Sequence, residues 1–317
     1  MNSLERFRQL SELLHRQLLP LIDNDYVLYG LPYYANIGDT LIWEGTLELL
    51  KHSRYKCKGV CGWNDYPHHK LPTNQIILIS GGGYFGDMWR KAWENVLGEL
   101  ALHRDNKIIL LPNSICYNNP SVLNADKQLM SNFKNLIICV RDAQSYDFAM
   151  KYFGMHDIRL LPDLAFCVNP DYLKQWKKRT SKGSLYLRRN DKEFVKNEHG
   201  IPLGADIRDW PTLEKVTSVE RLVGKLSLYY HRVNRTIHLK SLTWLYDMMF
   251  YMIYRKKMMS RGVEFISTYD KIYTTRLHGM VLAGFLEKET YYIDNSYGKI
   301  SSLYNTWLND VDNICSL

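Results

Sequence analysis

No run in this 317-residue chain is both long and apolar enough to span a bilayer. The nearest candidate, Ser241 to Met259, is interrupted by Asp247 and closes on Arg255-Lys256-Lys257. A charged leader followed by a hydrophobic core is also missing. Met1 to Leu19 reads instead as an amphipathic helix with Leu4, Phe7, Leu10, Leu14 and Leu18 on one side, so a cytosolic protein is expected. Internal repeats and low-complexity tracts are absent, which excludes solenoid and linker architectures. Cysteine is sparse: six residues, at 57, 61, 116, 139, 167 and 315, of which Cys116, Cys139 and Cys167 sit in or beside apolar runs and read as small core residues. Cys57 and Cys61, with His68 and His69 nearby, match no zinc spacing, so reduced thiols and no metal are expected. Gly81-Gly82-Gly83 lacks the full dinucleotide fingerprint, and no acidic residue follows a second strand where ribose recognition needs one; NAD is not expected. No nucleic-acid recognition motif accompanies the positive charge, so nucleic acid is not an expected partner.

What the chain does contain is core-building material. Hydrophobic residues make up 46% and aromatics 13%, enough to exclude a disordered chain. The length favours two domains of roughly 150 residues each. The net charge of +8 is localised: residues 181–261 carry 16 Lys and Arg against 8 Asp and Glu, and the remainder is balanced at 25 of each. A basic segment suits an anionic partner such as a membrane surface or a phosphorylated substrate, or is a solvated face. The Met- and aromatic-rich stretch at 241–259 with its basic end fits either a core helix whose long cations reach solvent or a helix lying at an anionic interface.

The first half alternates strand and helix signals. Apolar runs at Tyr26 to Tyr29, Gln75 to Ser80, Lys107 to Leu111 and Leu136 to Val140 predict strands. Helical periodicity follows each, over Thr40 to His52 with Asp39 as its N-cap, Trp89 to His103, Leu123 to Phe133, and Ala143 to Tyr152 capped by Asp142. Continuous rather than alternating apolar runs predict strands covered on both faces, and strand–helix alternation predicts parallel sheets. The pattern changes near Pro170 and restarts with a strand at Ser184 to Leu187. It ends with a strand through Ile272 to Thr274, a helix over Met280 to Leu286, a strand at Thr290 to Ile293 and a closing helix from Lys299 to Leu308. The expected division is 1–172 and 173–317, the last helix packing back on the first domain, with a ligand cleft between them.

Chemistry-bearing residues gather at the tails of these strands. Thr275-Arg276-Leu277-His278-Gly279 places a guanidinium fork and an imidazole at a strand end beside a helix N-terminus, a corner suited to a small anion. Asn36, Gly38 and Asp39 follow the first strand; Gly81, Gly82 and Gly83 follow the second; Asn113 and Ser114 follow the third. Arg141 ends the Leu136 strand, Arg188 and Arg189 end the Ser184 strand, and Asn295 and Lys299 follow the Thr290 strand.

The order of these pieces (Asn36-Ile37-Gly38-Asp39, Gly81-Gly82-Gly83, Arg141-Asp142, Pro162-Asp163, Arg276-Leu277-His278-Gly279 and Asp294-Asn295-Ser296-Tyr297-Gly298-Lys299) resembles the polysaccharide pyruvyl transferase family from about Tyr26 to Leu308. Two positions depart from the family's habit: Ala35 where Gly is frequent, and Thr275 where Asp is frequent. The resemblance implies an α/β fold of two Rossmann-like domains facing a cleft, glycosyltransferase-B-like and similar to bacterial sialyltransferases. It implies transfer of the pyruvyl group of phosphoenolpyruvate to a sugar diol of a surface polysaccharide or its lipid-diphosphate-linked precursor, giving a ketal and phosphate, with no cofactor or metal. Under that reading His278 and Asp39 are the catalytic candidates. Arg276, Arg141, Leu277, Gly279, Lys299 and Arg188 are candidates for the donor, and Asn36, Gly81, Gly82, Gly83, Asn113 and Asn295 for the glycan acceptor. The basic 181–261 segment would place the protein at the inner face of the cell membrane. The competing readings are a nucleotide-sugar glycosyltransferase on the same scaffold and a non-catalytic, membrane-docked component of polysaccharide assembly.

Overall fold

The computed structural model describes residues 1–180, 182–194, 199–234, 240–294 and 298–317. It is an α/β protein built on two parallel sheets. In chain order the first half contains α1 (Ser3–Gln17), β1 (Tyr26–Leu31), α2 (Ile37–Leu50), β2 (Cys57–Gly62), β3 (Ile76–Ile79), β4 (Gly82–Gly86), α3 (Arg90–Leu100), β5 (Lys107–Cys116), α4 (Pro120–Met130), β6 (Asn135–Val140), α5 (Ala143–Phe153) and β7 (Asp157–Leu160). The second half contains α6 (Pro170–Lys174), β8 (Ser184–Leu187), β9 (Asp206–Arg208), α7 (Pro211–Glu214), α8 (Ser218–Asn234), α9 (Lys240–Met248), α10 (Arg255–Ser267), β10 (Lys271–Thr274), α11 (Leu277–Phe285), β11 (Glu289–Tyr292), α12 (Lys299–Trp307) and β12 (Ile314–Ser316).

The first sheet runs β2-β1-β3-β5-β6-β7, with β4 pairing the far half of β5. β3 and β4 are one strand broken at Ser80-Gly81. β3 pairs β5 at Ile108–Leu110 and β4 rejoins it at Asn113. Pro112 lies at the break, where it has no N–H to give the ladder. A Cβ on Gly81 would come within 2.6 Å of Pro112 O, so Gly81 is required for strand packing rather than for an open loop. The glycine run therefore continues the sheet where the sequence predicted its end. β1 and β3 are wholly buried, as their uninterrupted apolar runs predict. The second sheet runs β12-β11-β10-β8-β9. Both sheets are parallel throughout. The exposed start of β2 and the three- and four-residue strands β7, β9 and β12 gave no usable apolar run and were legible only in the structure.

α1 and α12 tie the two sheets together. Phe7 of α1 packs against Phe285 of α11 and Phe166, at ring distances of 4.8 and 4.9 Å, and Ser3 Oγ donates to Gly284 O. Seven residues on, Leu14 and Leu18 enter the core of the first sheet. α12 docks on the start of α5: Ala143 N donates to Thr306 Oγ1, Ser302 Oγ to Asp142 Oδ1, and Trp307 Nε1 to Arg141 O. Burying apolar surface in both clusters contributes on the order of 2 kcal/mol per side chain and makes α1 a common wall of both cores.

The segment that puzzled the sequence, 241–259, is a continuous helical run in which α9 passes through a π-helical stretch, Met249–Tyr254, into α10. Asp247 turns inward and accepts from Tyr33 Oη at 3.0 Å. Tyr246, Phe250 and Tyr254, four residues apart, all bury. An ordinary α-helix would rotate such a row steadily off one face, and the wider i→i+5 winding holds it in line.

α2 passes close to the turn at Leu164–Cys167. An alanine Cβ at position 45 would lie 1.9 Å from Leu164 O. Gly45→Ala, which helix propensity alone favours by about 1 kcal/mol, is therefore expected to destabilise the fold by about 2 kcal/mol through overpacking. Denaturant unfolding measures this, and an unchanged or raised midpoint would contradict the packing described.

Candidate active site

Each site element sits where it does for a local reason. Asn36, not Asp39, caps α2: its Oδ1 accepts from Gly38 N at 2.9 Å, so the helix starts three residues before the predicted Thr40. Asp39 lies in the first turn, where its Oδ2 accepts from Asn36 Nδ2 at 2.6 Å and Tyr34 Oη at 2.9 Å. α11 likewise starts early, at Leu277, with Arg276 in the N-cap position. The two N-termini meet. A Cβ on Gly38 would stand 3.0 Å from both Cβ and Nδ1 of His278, so glycine is what lets the imidazole lie against the α2 turn.

The other imidazole nitrogen, His278 Nε2, is 3.3 Å from Asp163 Oδ2. The same oxygen accepts from Arg141 Nη1 at 2.6 Å, and Asp163 Oδ1 accepts from Ala165 N at 2.8 Å. Asp163 is fully buried. Burial alone would raise its carboxyl, but the His278 ring, Arg141 and the hydrogen bonds together hold it well below the usual carboxylate range. An ionised Asp163 favours the proton of His278 on Nε2 and leaves Nδ1 as the basic atom, facing the Asn36–Asp39 turn.

From Arg141 a network of opposite charges continues across the second sheet's strand ends. Arg141 Nε donates to Ser114 Oγ at 2.9 Å. Lys299, the first residue of α12, lies close enough to Arg141 and Arg189 to feel both charges, and its ammonium donates to Glu193. Glu193 also accepts from Arg189 Nη1 at 2.5 Å and Trp89 Nε1 at 3.1 Å. Arg189 forks onto Asp191 at 2.7 and 2.9 Å, and Asp191 lies 3.6 Å from Arg276. Arg276 ends the chain with a bidentate pair to Asp209, at 2.5 and 2.6 Å. Thr275, the departure from the family habit, accepts from Arg189 N at 3.0 Å and so holds that backbone in place.

The two ends of the Lys299–Glu193 pair titrate differently. Burial would raise Glu193, yet Lys299 and Arg189 bring it down to about 2. Burial pushes Lys299 down, Glu193 opposes that shift, and the charges of Arg189 and Arg141 add to it, leaving Lys299 at about 8. The fold thus disfavours the charge on Lys299.

The predicted site residues divide accordingly. Asn36, Asp39, Arg141, Arg276, Leu277, His278, Gly279 and Lys299 belong to this network or its two helix starts. Leu277 and Gly279 serve packing: Leu277 is buried, and a Cβ on Gly279 would meet Leu187 at 2.5 Å. Arg188 points elsewhere, its guanidinium 5.6 Å over the Phe194 ring. Asn113 is buried, donating to Leu111 O and Ser80 O. Gly81 packs against Pro112, Gly82 lies near Tyr84 and Asn113, and Gly83 follows in β4. Asn295 lies outside the described residues. Glu193, Asp191 and Asp209 were not singled out from the sequence. Their only signal is that they lie within the run after the Arg188-Arg189 strand end, and Asp209 is 67 residues from the arginine it holds. No group of three or more His, Cys, Asp or Glu able to hold a metal ion occurs among the described residues. Cys57 is exposed and Cys61 buried on the same strand.

Parallel strands from two sheets thus end on one another, with basic and titratable groups at the junction. In open α/β sheets, ligands bind outside the carboxyl ends of the strands. The polysaccharide pyruvyl transferase family model matches residues 36–297, and the chain belongs to that family, a family of transferases. It is 30% identical to the putative pyruvyl transferase EpsO of Bacillus subtilis, over 92% of this chain and 86% of that one. Pyruvyl transferase 1 of Schizosaccharomyces pombe is 26% identical over 89% of this chain and 69% of its own length. General stress protein 30 of B. subtilis is 24% identical over 90% and 78%. A crystal structure of an uncharacterized Klebsiella pneumoniae protein superposes with a TM-score of 0.65 at 16% identity, covering 97% of this chain and 98% of that one, a likeness of fold.

Replacing Glu193 by Gln removes a buried carboxylate that accepts from both Lys299 and Arg189 and should cost about 3–5 kcal/mol, the usual penalty for breaking a buried ion pair. The pH dependence gives a second readout. With its pKa depressed to about 2 from an ordinary 4.5, Glu193 adds stability that is complete above pH 4.5 and is lost as pH falls toward 2. The Glu193→Gln protein should therefore lose less stability than wild type across that window. Equal acid dependence in urea titrations would show that Glu193 is not held by these cations.

Proposed function

We propose that the protein transfers the pyruvyl group of phosphoenolpyruvate to a vicinal or 1,3-diol of a polysaccharide or its lipid-diphosphate-linked precursor, forming a ketal and releasing phosphate. The observation that carries this reading is the junction itself. Four basic side chains, Arg141, Arg189, Arg276 and Lys299, share one network, and His278 adjoins it on the side of the Asn36–Asp39 turn. A compact donor with three negative charges needs several charge-assisted contacts. All four cations already face carboxylates, so the donor must replace one. Asp191 is 29% exposed, whereas Asp163, Glu193 and Asp209 are at most 6%. The donor displaces Asp191 and takes over the edges of Arg189 and Arg276 that it covered.

On the acceptor side, His278 Nδ1 removes the proton of the attacking hydroxyl while Asp163 steadies the imidazolium that results. Asp39, fixed by Tyr34 and Asn36, orients the acceptor. On the donor side, Lys299 gives its loosely held proton to the vinyl carbon C3, making C2 electrophilic. The acceptor oxygen bonds to C2, the C2–O bond to phosphate then breaks, and the second hydroxyl closes the ketal as its proton leaves to solvent. Arginines stabilise the developing phosphate charge. In this reading the two parallel sheets act as the paired Rossmann-like domains of a glycosyltransferase-B-like enzyme, the first holding the acceptor and the second the donor.

The direct test is to incubate the protein with phosphoenolpyruvate and a panel of oligosaccharides and lipid-linked saccharides, following phosphate release and pyruvylated product by mass spectrometry. His278→Ala should lower turnover by on the order of 100-fold or more; turnover within a few-fold of wild type removes the histidine from the mechanism. For phosphoenolpyruvate, kcat/KM should fall as pH rises through about 8, where Lys299 loses its proton. In Lys299→Arg, any residual activity should lack that limb, because an arginine stays charged. A limb unmoved by the substitution would assign it to another group.

A further inference from the structure

We infer that the α8–α9 hairpin is a docking surface for an anionic lipid bilayer. α8 has two apolar stripes, not one. Val223 and Tyr230, with Glu220, bury against the body of the protein. A second row, Val219, Leu222, Leu226 and Tyr229, repeats at spacings of three, four and three residues and is exposed, Leu222 by 57% and Tyr229 by 64%. This spacing lays the row along one line of the helix, beside the buried one. The antiparallel neighbour adds a row of its own. Trp244 and Leu245 on α9 are about 60% exposed, and Met252 and Ile253 in the π-helical stretch are exposed again eight residues later. Apolar side chains concentrated on one hairpin in this way mark an interaction site rather than ordinary surface.

The flanking charge selects the occupant. Arg221, Lys225 and Arg232 are exposed at four- and seven-residue spacing on α8, and Lys256 is exposed just beyond the π-helical stretch. Between residues 215 and 261 the described acidic residues are Glu220 and Asp247. The first is buried on Arg261 and the second is turned onto Tyr33. Every exposed ionised side chain described in this interval is therefore basic, a composition that repels a second copy of itself and attracts anionic headgroups. Exposed Trp and Tyr beside Leu, Ile and Met suit the boundary between headgroups and acyl chains. No described helix is long and apolar enough to cross the membrane, so the hairpin lies on the surface of the bilayer.

The place of the hairpin gives the contact a use. Thr212 Oγ1 in α7 donates to Ala35 O, and Phe250 stacks on Tyr33 at 4.2 Å with the rings 7° from parallel. Both contacts fall on the chain segment that leads into Asn36 and Asp39. A bilayer under the hairpin would hold lipid-linked saccharides beside the acceptor turn. The docking surface stands on its own geometry and does not depend on the pyruvyl-transfer chemistry.

The test uses the whole chain and vesicles of phosphatidylcholine with or without phosphatidylglycerol. The protein should sediment with the anionic vesicles at low salt, much less at high salt, and little with phosphatidylcholine alone. Tryptophan emission should shift to the blue on binding, and Trp244→Phe should abolish most of the shift. An Arg221→Gln/Lys225→Gln double variant should partition roughly 30-fold less, with unchanged melting and unchanged phosphate release from phosphoenolpyruvate and a soluble acceptor. Failure to sediment with anionic vesicles overturns the proposal. So does a dimer in size-exclusion chromatography that Leu222→Asn/Leu226→Asn dissociates without changing vesicle binding, since the face would then belong to a second copy. Normal vesicle binding by a protein that releases no phosphate would leave this inference standing and remove the catalytic one.

Discussion

Everything at the junction depends on one buried carboxylate. Asp163 Oδ2 is shared by Arg141, from the end of β6, and His278, from the first turn of α11. One oxygen therefore joins the two sheets, favours the imidazole proton on Nε2, and pairs Arg141 in a place with almost no solvent. A buried anion is tolerated only when its partners are in place. The register of α11 against α2, the glycine at 38 and the short Leu164–Cys167 turn that supplies a backbone donor are all conditions for Asp163 to remain ionised.

Beyond Asp163, Arg141 and Lys299 lie near each other with the same sign, and from Lys299 the charges alternate through Glu193, Arg189 and Asp191 to Arg276 and Asp209. Alternation lets a cluster of four cations exist without mutual repulsion unfolding it. In the proposed reaction the donor anion takes the place of its least buried carboxylate, Asp191. Lys299 is the exception to the balance, since burial and two arginines weaken its hold on a proton. The hairpin formed by α8 and α9 follows the opposite logic. Its carboxylates are consumed internally and its cations and apolar rows are left on the outside, so the same basic excess acts at a surface instead of a pocket.

The route from sequence to structure succeeded where a single local force dominates. Continuous apolar runs gave β1, β3, β5, β6, β8, β10 and β11, and the amphipathic row from Leu4 to Leu18 gave α1. The helix starts were shifted by a turn because Asn36 and Arg276 precede residues that look like better signals. A cap is decided by which backbone N–H is within reach, as Gly38 N is for Asn36 Oδ1. The glycine run was read as a loop because its composition is that of one. Only the approach of Pro112 O shows it to be a strand crossing a tight place.

Strand–helix alternation, the local concentration of basic charge and the presence of a fork and an imidazole at one strand end were settled by the chain's own order of residues, because each is a property of neighbours along the backbone. The partner of each charge was not. Asp209 and Arg276 lie 67 residues apart, Glu193 and Lys299 lie 106, and Asp163 and His278 lie 115. Which of several carboxylates meets which cation depends on the crossing of two sheets and on the depth to which burial shifts each proton. Those are properties of three-dimensional packing, and no spacing in the sequence encodes them.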